Sequence, residues 1–194
     1  EKEPGESGNL TISESNFPEA GSQIDIPSFE EISNFNDTNK SVYTGETKDG
    51  VKEGRGIMIY SSGAKYEGEW KEDKFHGRGV YIDKNGGKYD GDWKNGKLNG
   101  RALMLRHNGL KYDGDWKDSV FHGREILENP EKKLIFDGNW IEKKFTGRGY
   151  MKNSLGDEYD GEWLNFKFNG RGLFKSHKGT STEGNWMNGK FLKK

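Results

Sequence analysis

The sequence predicts an all-β chain: an elongated single-layer antiparallel sheet of stacked β-hairpins over residues 41–194, behind a mostly irregular acidic tail, residues 1–40. Three observations carry this. The stretch Tyr66-Glu67-Gly68-Glu69-Trp70, followed by Gly77-Arg78-Gly79, returns as Tyr89-Asp90-Gly91-Asp92-Trp93 with Gly100-Arg101, and again as Tyr112-Asp113-Gly114-Asp115-Trp116 with Gly123-Arg124. All six tryptophans take the fifth position of such a unit. A hydrophobic content of 29% with 13% aromatic residues and a mean hydropathy of -1.09 is too polar for a thick core and too aromatic for a disordered chain, and a thin extended sheet satisfies both.

Residues 1–22 are rich in Glu, Ser, Gly and Asn and read as flexible. Ile24, Ile26, Phe29, Ile32 and Phe35 then place apolar side chains in an acidic context. Ser28 with Glu31 has the form of a capping box, which predicts a short docking helix over residues 28–36. One or two turns are not stable alone, so the segment is expected to dock, on its own repeats or on a partner. Residues 1–40 carry nine acids against Lys2 and Lys40, a balance of -7, which leaves +6 for the rest of a chain of net charge -1. An acidic arm ahead of a mildly basic array is either steered to it or simply a solvated tail.

From Tyr43 the units open at Tyr43, Tyr66, Tyr89, Tyr112, Phe136, Tyr159 and, in a last partial copy, Thr182, giving about seven units of 23 residues. Arg55, Arg78, Arg101, Arg124, Arg148 and Arg171 follow the opening aromatic at a constant distance, so the one extra residue lies between Arg124 and Phe136, near Pro130. A fixed period in this range marks a repeat architecture in which each unit buries its apolar face only by stacking on neighbours. Within a unit, Tyr66, Gly68 and Trp70 alternate with Glu67 and Glu69, the two-residue period of a strand. Asn95-Gly96 and Asn188-Gly189 mark hairpin turns, and the second arm starts at Gly-Arg-Gly. Two strands per unit at roughly 4.8 Å each predict an array about 60–70 Å long. Thr47 in place of Trp and Thr182 in place of Tyr read as caps. Ala102 and Glu125 stand where other units have the second Gly, which predicts a bulge or extra twist near residues 125–135. The recurring Arg is expected to pair across the hairpin with the acids of the first arm.

The pattern Tyr-x-Gly-x-Trp followed by Gly-x-Gly resembles the MORN-repeat family, from Tyr43 to the C-terminus, with the units at Tyr66 and Tyr89 the closest in pattern. The resemblance implies a non-enzymatic scaffold in a cytoskeletal, ciliary or membrane-associated assembly, cytoplasmic or peripheral to a membrane. It also implies two alternatives: an adaptor for anionic phosphoinositide surfaces, or the regulatory part of a larger protein such as a lipid kinase or methyltransferase. Lys132-Lys133, Lys143-Lys144 and Lys193-Lys194 support the lipid alternative, but acids are interspersed among them.

The residues nominate no catalyst. His76 and His122 hold the same slot two units apart, roughly 19 Å, and cannot share a metal. The carboxylates are many and none is singular, and a Gly-x-Gly that recurs in every unit is architectural. Zero cysteines exclude disulfides and thiolate metal sites. No apolar run approaches the roughly 20 residues needed to span a bilayer and no signal-peptide pattern opens the chain, so a soluble protein is expected, processed or part of something longer since it starts at Glu1. No cofactor, metal or nucleic acid is expected. The expected site is an aromatic groove formed by Tyr66, Trp70, Tyr89, Trp93, Tyr112, Trp116, Tyr159 and Trp163, with Phe75, Leu98, Phe121 and Phe168 at its edge. Its occupant would be a helix or extended peptide of a partner protein, a second copy, or segment 24–36 of the same chain.

Overall fold

The computed structural model describes residues 41–131, 133–141 and 144–193. The acidic tail 1–40 and the helix expected over 28–36 lie outside the described residues. Among the described residues fourteen strands follow one another: β1 (Val42–Lys48), β2 (Val51–Ile59), β3 (Lys65–Lys71), β4 (Lys74–Ile82), β5 (Lys88–Lys94), β6 (Lys97–Leu105), β7 (Lys111–Lys117), β8 (Val120–Asn129), β9 (Leu134–Ile141), β10 (Lys144–Lys152), β11 (Glu158–Leu164), β12 (Lys167–Lys175), β13 (Ser181–Met187) and β14 (Lys190–Phe191). They form one antiparallel sheet in which spatial order equals chain order. The described residues are all-β, a stack of hairpins, as the period requires.

The Trp-side turns are tight. Asn95 and Gly96 both have positive φ, 51° and 79°, the mirror-image geometry that matches strand twist. The same geometry is imposed on Glu72-Asp73, Asp118-Ser119 and Asn165-Phe166, which have no glycine. Stacking supports it: the second turn residue donates its N–H to the hairpin before, Asp73 to the Lys52 carbonyl at 3.1 Å, Ser119 to Leu98 at 2.9 Å and Phe166 to Phe145 at 3.1 Å. Side chains add to this, with Asp73 Oδ1 accepting from the Lys52 N–H at 2.9 Å and Ser119 Oγ from the Leu98 N–H at 3.1 Å.

A bulge recurs at the Gly-Arg-Gly of each complete hairpin. Gly68 pairs with Gly79 and Glu69 with His76, which leaves Gly77 and Arg78 unopposed within the hairpin. Gly77 takes φ 54°, in the left-handed region. The extra bulge expected near residues 125–135 is not formed. Pairing of β8 with β9 runs without a shift from Gly123↔Trp140 to Asn129↔Leu134. The inserted residue lengthens the ladder, and the turn closes tightly with the Lys133 N–H on the Pro130 carbonyl at 3.3 Å.

Candidate functional site

Alternation along the strands gives the sheet two faces. One carries Tyr66, Gly68, Trp70, Phe75, Gly79 and Tyr81 and their equivalents. On it the Tyr66 ring lies flat against Phe75, centroids 3.6 Å apart and 7° from parallel, and Tyr159 lies on Phe168 at 3.7 Å and 9°. Each phenol reaches over its own strand: Tyr66 donates to the Glu69 carbonyl at 2.9 Å and Tyr159 to Glu162 at 3.2 Å. Trp70, Trp93, Trp116, Trp163 and Trp186 each donate the indole N–H to the preceding unit, to the carbonyls of Gly56, Gly79, Ala102, Gly149 and Gly172, at 2.8–3.2 Å. Units are thus joined by rings standing edge-on to the neighbouring unit, as Tyr66 to Trp93 at 5.8 Å.

The consequence corrects the expected geometry. Tyr66, Trp70, Phe75, Tyr89, Trp93, Leu98, Tyr112, Trp116, Phe121, Tyr159, Trp163 and Phe168 are brought together, but none is more than 4% exposed. They are the core. The rings fill the space that an open groove would need. Burial pushes the Tyr66, Tyr89 and Tyr159 hydroxyls well above their usual range, so they stay neutral donors.

The opposite face is accessible and patterned. A middle row alternates half-buried Ile57, Val80, Leu103, Ile126, Tyr150 and Leu173 with acids of the first arms. Beside it runs the arginine row. The acid before Trp70, Trp93 and Trp163 accepts the backbone N–H of the Arg in its own hairpin's bulge, Glu69 from Arg78 at 3.2 Å, Asp92 from Arg101 at 3.2 Å and Glu162 from Arg171 at 3.3 Å. The guanidinium reaches forward to the next unit: Arg78 to Asp90 at 3.2 Å, Arg101 to Asp113 at 3.3 Å, Arg124 to Asp137 at 2.9 Å and Arg171 to Glu183 at 3.3 Å. The expected pairing within the hairpin is therefore divided, backbone to its own acid and side chain to the neighbour's.

Among the described residues, Arg55 and Arg148 have no carboxylate within ion-pair distance. Each lines a cleft. One, of about 440 Å³, lies between Thr44, Arg55, Ile57, Glu67, Glu69 and Arg78. The other, of about 450 Å³, lies between Arg148, Asp160, Glu162, Arg171, Leu173 and Glu183. The acids and arginines of this face are legible in the sequence, where the expected site is the ring face instead. The sequence signal for this face is the two-residue alternation, which sets Val80 and Leu103 opposite Tyr81 and Met104.

Two further features were not foreseen. Asp157, 6% exposed, accepts from the His177 backbone N–H at 2.8 Å and contacts its ring Nδ1 at 2.6 Å, clipping two successive turns. Burial pushes its carboxyl up, but the hydrogen bonds from His177 and Asn153 outweigh this and hold it below the usual range. At the array's middle, Glu125 is 1% exposed with neither carboxyl oxygen hydrogen-bonded, and Trp140 Nε1 is buried without an acceptor. Burial first, then Asp115 and Asp113, push the Glu125 carboxyl up to about 9, with Arg101 acting in the other direction. Among the described residues no three His, Asp or Glu side chains are grouped to hold a metal ion.

The unit so described matches the family model for the MORN repeat at residues 43–65, 66–88, 89–111, 112–124 and 159–181. The chain belongs to the MORN-repeat family. The fourth match stops just before Glu125, and the stretch up to Tyr159 is unmatched, which is where this MORN array departs from its own rule. No curated protein matches the chain. Among solved structures, the array is similar to the SAS-4 (dCPAP) TCP domain of Drosophila melanogaster, solved in complex with a proline-rich motif of Ana2 (dSTIL). The identity is 12%, the match covers 76% of this chain and 79% of that one, and the TM-score is 0.44.

Proposed function

We propose that this MORN array is a non-enzymatic scaffold that holds a segment of a partner protein along its arginine-bearing face. The family and the stacked-hairpin fold fit a protein-interaction scaffold. The observation that carries the finer reading is the pair of clefts, one toward each end of the same face, each holding an arginine without a carboxylate partner among the described residues, beside a half-buried aliphatic side chain. The twelve core residues then act indirectly, as the rigid floor that keeps this face in register. A peptide laid here would meet apolar, acidic and guanidinium groups at every unit, so its affinity would come from repetition. The anionic-membrane alternative has weaker support, since Arg78, Arg101, Arg124 and Arg171 are already engaged by carboxylates. A cytoskeletal, ciliary or membrane-junction setting remains part of the proposal.

The test uses the full chain carrying Arg55→Glu with Arg148→Glu, or Val80→Ser with Leu103→Ser, each shown to keep the wild-type tryptophan fluorescence. Proteins captured from native extract by wild type and released by both pairs support the reading. Capture indifferent to both pairs overturns it. Binding to phosphatidylserine-containing vesicles that is lost in high salt, with no protein captured, assigns the face to lipid instead.

A further inference from the structure

The edge of the accessible face beside the longer turns carries a second pattern. Second arms place Ile59, Ile82 and Leu105 there, and first arms place Lys65, Lys88 and Lys111. Ile59 is 49% exposed and Leu105 is 42% exposed, high for aliphatic side chains set in a sheet. The lysines are accessible too, and their ion pairs with Glu67, Asp90 and Glu128 are surface pairs that a competing carboxylate can share. One apolar and one cationic side chain per unit, in a row, is a surface waiting for an apolar, acidic strip with the same repeat.

The chain contains such a strip. Ile26, Phe29, Ile32 and Phe35 recur at every third residue, with Asp25 just before them, Glu30 and Glu31 between them, and no Lys or Arg from residue 24 to residue 37. In a polyproline-type extended chain three residues advance about 9.3 Å and return to the same side. One unit of the array, two strands, advances about 9.6 Å. An α-helix would advance only about 4.5 Å over the same three residues, half a unit. Pro27 favours the extended form. The connection is short: Phe35 is seven residues from Val42, which opens β1 at this same edge, paired with Ile59.

We propose that residues 26–35 dock in cis along this edge in extended form, Phe35 at Ile59, Ile32 at Ile82 and Phe29 at Leu105, with Glu30 and Glu31 flanking this line on either side, within reach of the lysines that alternate with the aliphatics. The segment thereby covers the aliphatic row of the first three units, exposed at Ile59 and Leu105, and borders the arginine face, where it would compete with a bound partner. This stands whether or not a foreign peptide binds, and its test needs none.

The chain has no cysteine, so a single introduced one carries a nitroxide uniquely. In full-length ¹⁵N-labelled protein, a label at Ser28→Cys should at least halve the amide signals of Leu105 and Lys111, and a label at Asn34→Cys those of Ile59 and Lys65. That offset of two units is the signature of the extended register. Phe29→Ser with Ile32→Ser, or Ile82→Ser with Leu105→Ser, should abolish both patterns while leaving the indole N–H signals in place. The proposal is overturned if both labels broaden the same unit, if neither broadens any, if the serine pairs leave the pattern intact, or if broadening appears equally when labelled unenriched chains are mixed with unlabelled ¹⁵N chains.

Discussion

The units that open at Tyr66 and Tyr159 and those that open at Tyr89 and Tyr112 have nearly the same sequence and different interiors. In the first pair the second Gly of Gly-Arg-Gly lies under the tyrosine: a Cβ on Gly79 or Gly172 would collide with the phenol ring of Tyr66 or Tyr159. In the second pair that Cβ exists, as Ala102 and Glu125. Tyr89 instead directs its hydroxyl to Asp83 Oδ2 at 3.4 Å, and the Tyr112–Phe121 rings open to 4.7 Å from the 3.6 Å of Tyr66–Phe75. The motif is thus a pair of coupled residues, a ring and the missing side chain beneath it. At Ala102 the joint to the next unit survives, with the Trp116 indole on its carbonyl at 3.1 Å; at Glu125 it does not, and Trp140, whose expected acceptor carbonyl belongs to Glu125, is left without one.

The sharpest way to test this difference is to remove the joint on each side of it. Trp93→Ala deletes a buried indole and its hydrogen bond to Gly79, and should cost about 3–5 kcal/mol. Trp140→Ala, equally buried but without that bond, should cost roughly 1 kcal/mol less by urea titration. Equal losses would mean that the indole bonds do not join units. Next in size is the glycine itself. Gly79→Ala should destabilise by about 1–3 kcal/mol by evicting Tyr66, whereas Ala102→Gly, where the ring has already turned away, should change stability by less than about 1 kcal/mol. Denaturant midpoints of the two variants, with the Tyr66 ring signals by NMR, check the contrast.

Glu125 makes the middle units pH-sensitive in a direction that the regular units lack. Its folded value, about 9, lies above its ordinary 4.5, so between these pH values the folded chain holds a proton that the unfolded chain releases. Stability therefore falls as pH rises through that window. Glu125→Gln should flatten the dependence and, at pH 8, stabilise by about 1–2 kcal/mol, because a neutral buried group no longer has to stay protonated against solution. A wild-type minus variant difference that does not grow between pH 5 and pH 9 refutes this account.

Most of the fold was legible because a 23-residue period leaves few architectures, and each departure from it could be located by residue. Burial was harder to read. Tyr66 and Trp70 on one strand face predict an aromatic strip, but whether it is open depends on how far the ring folds down over Gly79, where the missing side chain leaves room for it. In the sequence, Glu125 and Pro130 point to a disturbance of the backbone. The ladder absorbed the extra residue, and the disturbance appears instead as two unsatisfied polar groups in the core. The Asp157–His177 clip had no periodic signal, since Ala64, Gly87 and Leu110 hold the slot of Asp157 in other units.

The arginine row should separate stability from binding, and here the expected effect on folding is smallest. Arg101 and Asp113 are an exposed pair at 3.3 Å, so Arg101→Gln should cost no more than about 0.5–1 kcal/mol and the cost should vanish in 0.5 M salt. Arg148 has no such partner among the described residues, and Arg148→Gln should leave the denaturation midpoint unmoved at any salt concentration. If the accessible face is where a partner lies, the ranking inverts for binding. An arginine already neutralised by Asp113 offers a ligand less than one facing an open cleft, so Arg148→Gln should weaken capture more than Arg101→Gln. The two rankings come from one geometry, and finding the same order in both assays would show that the row acts only as surface charge.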